Sequence, residues 1–269
     1  MHTDRNALFR ELWQNYQSVT PSAESIHQIL GSREGRDDIV NDHIALRTFN
    51  LPPVGLDALA EHFLTLGYRQ GGEYHFEAKK LYARHYEHPD PEAPKVFISE
   101  LLTEQCSPQL QSIVKTLVAG VSEDAVRQDN FLYSGRHWDL DYQTYTTLAA
   151  ESEYAAWVAA WGYRANHFTV SINHLKQLDS VPAINRLLKE HGFTINASGG
   201  EVKGSPAELL EQSSTMADRV AMKFTDREAV IPSCFYEFAL RYQDANGSLY
   251  SGFVAASADR IFESTNVSY

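Results

Sequence analysis

The chain has 269 residues, of which 43% are hydrophobic and 22% charged, the composition of a globular protein long enough to bury a sizeable core. Its formal net charge of −12 repels phosphate backbones and anionic headgroups, which counts against nucleic acid and membrane surfaces as partners. No run approaches the ~18 apolar residues of a membrane span, the first residues lack an apolar signal core, and Cys106 and Cys234 form no disulfide framework, so a cytoplasmic protein with free thiols is expected.

Residues 1–40 read as two helices. Leu8, Phe9, Leu12, Trp13 and Tyr16 recur at helical spacing, and Pro21 restarts a helix carrying Ile26, Ile29 and Leu30, with Gly31 as its stop and a charged loop over 32–39. The stretch 41–49 then alternates as a strand does. His43, Ala45, Arg47 and Phe49 share one face, and Ile44, Leu46 and Thr48 share the other. On that geometry His43 and Arg47 lie ~13 Å apart at Cα, a span that suits a small anion held between a metal on the imidazole and a charge clamp on the guanidinium. A helix carrying Leu56, Leu59, Ala60 and Phe63 follows, closed by Gly67. A turn is expected at Gly71-Gly72, with short strands near 74–76, 80–87 and 95–101. His75, His85 and His88 fall in a charged hairpin and read as exposed.

Residues 103–163 read as a helical insert, helical over 108–121 and again over 142–163, where a Tyr/Trp stripe reads as core. The opening pattern then returns. Asn166 to Ile172 alternates from His167, and a helix over 181–190 ends at Gly192. Gly67-Tyr68 is matched by Gly192-Phe193, and Gly71-Gly72-Glu73 by Gly199-Gly200-Glu201, which argues for an internal repeat of a βαβββ unit over 41–102 and 164–269 within one domain. In the second copy, 203–206 reads as a turn, 219–224 as a strand, and 233–241 as a last strand with Glu237 opposite the apolar face of Tyr236, Phe238 and Leu240. A carboxylate there must be partnered, because burying it alone is very unfavourable.

Two His in one structural slot and one carboxylate make the donor set of a facial triad with open coordination positions. His43, His167 and Glu237 would hold Fe(II), Mn(II) or Zn(II), and the lack of thiolates counts against structural zinc. The plainer alternative pairs Glu237 with Arg241 or Arg219. Glu100, closing the first copy, reads as the counterpart of Glu237 and so as a fourth ligand or a partner behind the ligands. Arg47 reads as a carboxylate clamp.

Paired βαβββ modules that open on His resemble the vicinal oxygen chelate superfamily. More narrowly, Asp42-His43-Ile44-Ala45-Leu46-Arg47, Asn166-His167-Phe168-Thr169, the run from Gly199 to Pro206, Tyr236-Glu237-Phe238 and Ile261-Phe262-Glu263-Ser264 resemble the 2-oxoadipate dioxygenase/decarboxylase (hydroxyglutarate synthase) family across nearly the whole chain. The resemblance implies an α+β fold in which a curved mixed sheet surrounds a metal site, with added helices at the N-terminus and between the modules. It implies Fe(II) on His43, His167 and Glu237, substrate contact at Arg47, and a pocket segment around Ala256 and Ser257 that influences substrate choice. The implied reaction takes a 2-oxo dicarboxylate and dioxygen, 2-oxoadipate giving 2-hydroxyglutarate and carbon dioxide. The chain is shorter than the family's characterised members and carries Val254-Ala255-Ala256 in the pocket segment. Two rival readings use the same modules: a glyoxalase-like isomerase or hydrolase with Zn(II) or Ni(II), and a binding module without chemistry.

Overall fold

The computed structural model describes residues 1–35 and 39–266. Helix α1 (Arg5–Ser18) is capped by Asp4, whose side chain accepts from the Asn6 N–H. Helix α2 (Pro21–Glu34) runs through the expected stop at Gly31. It ends instead at Gly35, which adopts φ +67° and donates its N–H to the Gly31 carbonyl. Of the expected charged loop, residues 36–38 lie outside the described residues.

The first module is β1 (Asn41–Phe49), α3 (Leu56–Leu64), β2 (Arg69–Phe76), β3 (Leu81–Glu87) and β4 (Lys95–Leu101). Helices α4 (Pro108–Val118), α5 (Glu123–Val126), α6 (Tyr142–Glu151) and α7 (Glu153–Trp161) follow. The helix expected over 142–163 is therefore two, broken at Ser152, whose hydroxyl caps α7 by accepting from the Ala155 N–H. The second module is β5 (Ala165–Ser171), α8 (Val181–Glu190), β6 (Lys203–Ser205), β7 (Leu210–Ser214) and β10 (Phe235–Arg241), with a hairpin of β8 (Arg219–Lys223) and β9 (Glu228–Pro232) inserted before its last strand. Helix α9 (Ala255–Ile261) follows, and a 3₁₀ turn (Phe262–Thr265) closes the described chain.

Eight strands form one curled mixed sheet in the order β2-β3-β4-β1-β5-β10-β7-β6. Read outward from the centre, the two halves match. β1 and β5 meet antiparallel at the seam, β4 runs parallel to β1, and β10 runs parallel to β5. The helix ends match as well. Tyr68 N–H reaches Phe63 O at 3.1 Å and Gly67 N–H reaches Leu64 O, while Phe193 N–H reaches Leu188 O at 3.0 Å and Gly192 N–H reaches Lys189 O. Both are the paired bonds of a left-handed helix terminus, and both glycines have positive φ. These are the paired βαβββ modules in one curved mixed sheet expected from the sequence.

Three further local expectations fail. Gly71 and Gly72 lie inside β2, at a register shift against β3, and form no turn. A Cβ on Gly71 would sit 2.2 Å from His85 Nε2, so the missing side chain makes room for a neighbour. His85 is accordingly buried, held between the Tyr74 hydroxyl (2.8 Å) and Glu87 (2.7 Å), while His75 is exposed and His88 half-buried. Residues 203–205 are a short edge strand paired with β7, where a turn was expected.

One sheet face packs on the helices. Ile44 and Phe168 are cross-strand partners on that face, and Trp13 meets Phe168 edge-on at 5.0 Å. Tyr16 donates its hydroxyl to Phe235 O at 2.6 Å. Trp157 and Trp161 donate their indole N–H groups to Ser233 O and Pro232 O, which fixes α7 as a buried brace beside the second module. The opposite face, carrying Ala45 paired with His167, lines the hollow of the sheet.

Candidate metal centre

The register decides which side chains converge. Thr169 pairs with His43 across the seam, Ala45 with His167, and Phe235 with His167 on the other side. His43, His167 and Glu237 therefore point into one hollow, with ligand atoms all within 4.8 Å of one another. Glu237 Oε2 lies 3.0 Å from His167 Nε2, and Oε1 lies 3.5 Å from His43 Nε2. The three are 2%, 7% and 1% exposed, so water does little to screen them.

Each imidazole is oriented from behind by the residue just before it. Asp42 Oδ1 lies 2.7 Å from His43 Nδ1, and Asn166 Oδ1 lies 3.0 Å from His167 Nδ1. Asp42 is itself bound by Arg241, at 2.7 Å from Nε and 2.9 Å from Nη2. Burial alone would push the Asp42 carboxyl up; the Arg241 charge, together with the hydrogen bonds from His43 and Arg241, outweighs it and holds the group well below the usual carboxylate range. An ionised Asp42 only accepts, so His43 carries its proton on Nδ1 and turns the Nε2 lone pair toward the Thr169 hydroxyl, at 3.1 Å, and Glu237. Burial would likewise raise Glu237, but the two imidazoles and the Gln212 amide, 2.5 Å from Oε1, leave it lowered. His167 is depressed chiefly by burial. An imidazole lone pair and a carboxylate oxygen facing each other in a dry hollow repel unless a proton or a metal ion lies between them, and two imidazoles with one carboxylate are a donor set that fits a divalent metal.

The cavity at these ligands measures about 30 Å³ and is walled by Phe97, Phe235, Phe253, Ile261 and Phe262. Arg47 closes one end. Its guanidinium is buried, 5.1 Å from the ring centres of Tyr154 and Trp157 and 5.4 Å from Phe262, and burial lowers it to about 10. Nη1 donates to Thr265 Oγ1 at 3.2 Å, whereas Nε and Nη2 have no hydrogen-bond partner among the described residues. Beyond Arg47 and Phe262 lies a larger hollow of about 160 Å³.

The structure thus brings His43, His167, Glu237 and Arg47 together and leaves three other candidates outside. Glu100 faces away: its Oε2 accepts from the Leu56 N–H at 2.7 Å, where an anion favours the start of α3. The register gives the reason. Glu237 pairs with Thr169, two residues after His167, and the matching partner of Ala45, two residues after His43, is Phe97. The first module's carboxylate slot thus holds a phenylalanine. Ala256 is exposed on α9 and Ser257 is buried beside Gly204; the residues of that helix lining the cavity are Ala258 and Ile261. Arg241 pairs with Asp42 and leaves Glu237 to the imidazoles. Sequence reasoning missed Asp42, Asn166, Gln212 and Phe253 as parts of the site. A signal for the first two was present, a hydrogen-bonding side chain immediately before each repeated His. Gln212 and Phe253 carried none.

The family model described as 2-oxoadipate dioxygenase/decarboxylase matches residues 1–244. The chain belongs to the 2-oxoadipate dioxygenase/decarboxylase family. A family relative from Oryza sativa subsp. japonica, named as the chloroplastic/amyloplastic enzyme, is 35% identical over 276 residues, covering 93% of this chain and 76% of the relative. The crystal structure of hydroxyglutarate synthase from Oryza sativa in complex with 2-oxoadipate superposes with a TM-score of 0.89 at 34% identity, covering 97% of this chain and 91% of that one. A Shewanella frigidimarina protein that carries a hydrolase label superposes at 0.91 with 62% identity, covering 95% and 100%.

Proposed function

We propose that this protein is a metal-dependent dioxygenase/decarboxylase that converts 2-oxoadipate and dioxygen into 2-hydroxyglutarate and carbon dioxide. The single observation that carries the reading is the buried Arg47 guanidinium, two of whose nitrogens have no partner among the described residues, in the same cavity as two imidazoles and a carboxylate. A ligand with a metal-chelating 2-oxo acid at one end and a carboxylate at the other satisfies both ends. Family membership and the rice complex with 2-oxoadipate support the same substrate class.

His43, His167 and Glu237 would hold Fe(II), with Zn, Ni or Mn as metals a purified sample could carry instead. Bound there, Fe(II) would offer open positions to a chelating 2-oxo acid and would supply the redox chemistry that lets dioxygen react with it. Glu237 offsets part of the ion's charge. Asp42 and Asn166 fix which nitrogen of each imidazole faces it. Arg47 would grip the distal carboxylate in a fork and so fix which carbon faces the reactive centre, an orientation effect. The aromatic walls exclude water around the reacting atoms. The six carbons of 2-oxoadipate leave as one carbon dioxide and one five-carbon hydroxy acid, and both atoms of dioxygen are retained in the products. Two buried free cysteines fit a reducing compartment, and we place the protein in the cytoplasm on that ground.

The test is oxygen uptake and carbon dioxide release when 2-oxoadipate is added to anaerobically Fe(II)-loaded protein, with no other 2-oxo acid present. Uptake matched by 2-hydroxyglutarate is the expected result. The hydrolase label of the Shewanella relative keeps one rival in view. Turnover that proceeds without oxygen would favour that rival and overturn the dioxygenase reading.

A further inference from the structure

The two imidazoles occupy matching slots, yet what stands behind them differs. His167 leans on the neutral amide of Asn166. His43 leans on a carboxylate that is buried and gripped by a buried guanidinium, both beyond the reach of bulk water. Arg241 does more than neutralise that charge. Its Nη1 donates to the carbonyls of Tyr250 (2.9 Å) and Gly252 (2.7 Å), and its guanidinium lies 5.1 Å from the Phe253 ring centre. Phe253 in turn meets the His43 ring edge-on at 4.8 Å and walls the cavity. One arginine therefore holds both the group behind His43 and the segment in front of it.

A buried ion pair is weak evidence for stability, because its desolvation offsets the attraction between the partners. A neutral amide orients the other imidazole adequately, so orientation alone does not call for a charge here. A carboxylate behind an imidazole does what an amide does not: it fixes the Nδ1–H tautomer without ambiguity and makes Nε2 a stronger donor. We infer that Asp42 and Arg241 are a positioning pair whose charge makes His43 the dominant nitrogen ligand, and so sets how tightly and in what electronic state this site holds its metal. The inference rests on the reading of His43, His167 and Glu237 as metal ligands.

The test uses Co(II) as a spectroscopic probe on the full chain freed of metal. Wild type is expected to take up one Co(II), with visible ligand-field bands that disappear in His167→Ala. Asp42→Asn keeps size and hydrogen bonding but removes the charge. It is expected to weaken Co(II) about ten- to a hundred-fold and to shift those bands. Because Asp42→Asn leaves Arg241 unpaired, the double variant Asp42→Asn, Arg241→Gln replaces the ion pair by two amides. It is expected to melt no lower than the single variant, which leaves Arg241 buried and unpaired, while binding Co(II) as weakly. Wild-type affinity within twofold and unchanged bands in either variant would overturn the inference while leaving the metal site intact. A wild-type chain that takes up no Co(II) would overturn both.

Discussion

Arg47 is where a single side chain carries most of the proposed specificity. Its fork is buried and two-thirds unsatisfied, so a lysine in its place keeps the charge and loses the bidentate geometry. Losing charge-assisted hydrogen bonds is worth about 1.5–3 kcal/mol. Arg47→Lys should therefore raise KM for 2-oxoadipate roughly ten- to a hundred-fold while leaving Co(II) affinity unchanged. Steady-state oxygen uptake read beside a Co(II) titration separates the two quantities. Glu100 supplies the opposite case. Its carboxylate serves the start of α3, so Glu100→Gln should leave metal affinity within twofold and lower stability by about 0.3–1 kcal/mol. Urea unfolding and a metal titration check both halves, and a large loss of affinity would restore Glu100 to the site. At this scale the ligand residue types were legible in the sequence, because imidazole and carboxylate in a repeated frame have few other uses. The placing of Glu100 was not. A count along the chain does not say which residue of β4 lies beside which residue of β1, and that register puts Phe97 where a carboxylate was expected.

Strands and helices were legible wherever their own chemistry sets them. The alternation of β1 and β5, the helix ends at Gly67 and Gly192 and the repeat itself all follow from local pattern. Boundaries set by a neighbour were not legible. Gly71 reads as a turn signal, yet it lies in a strand because His85 from the adjacent strand fills the space a side chain would take. Gly71→Ala should force His85 from its contacts with Tyr74 and Glu87, at a cost of about 1–3 kcal/mol. Thermal or urea unfolding measures it, and an unchanged midpoint would show that β2 has room to spare. The insert shows the same division. Its Tyr/Trp stripe was expected to be core and mostly is. Tyr154 and Trp157, however, also flank the Arg47 guanidinium, so part of that core is a wall of the site.

Across the molecule, the proposed metal ligands come from both halves: His43 from the first module, His167 and Glu237 from the second. An ion bound between them clamps the seam, and a ligand at a hundred times its Kd adds about 2.7 kcal/mol to stability. Saturating Co(II) or Zn(II) should therefore raise the melting temperature, and His43→Ala and His167→Ala should each abolish the rise. The effect should depend on pH in one direction. Protons compete with metal for imidazole, so the metal-induced shift should shrink as pH falls. Burial depresses His167 below the ordinary imidazole value, so this ligand stays unprotonated somewhat below pH ~6.5 and the shift should persist there before it is lost. Melting curves with and without metal across that range check the sign. A shift that grew on acidification would argue against imidazole ligands.

By itself the sequence determined the duplicated α+β architecture, the donor types and the charge balance that disfavours anionic polymers, because periodicity, helix termini and side-chain chemistry act over a few residues. Only the tertiary structure decided which donors share a centre. Pairing across the seam joins residues more than a hundred positions apart, and a sheet's alternation turns each register choice into the presence or absence of a side chain at the site. That same pairing set Asp42 and Arg241 behind one imidazole and an amide behind the other.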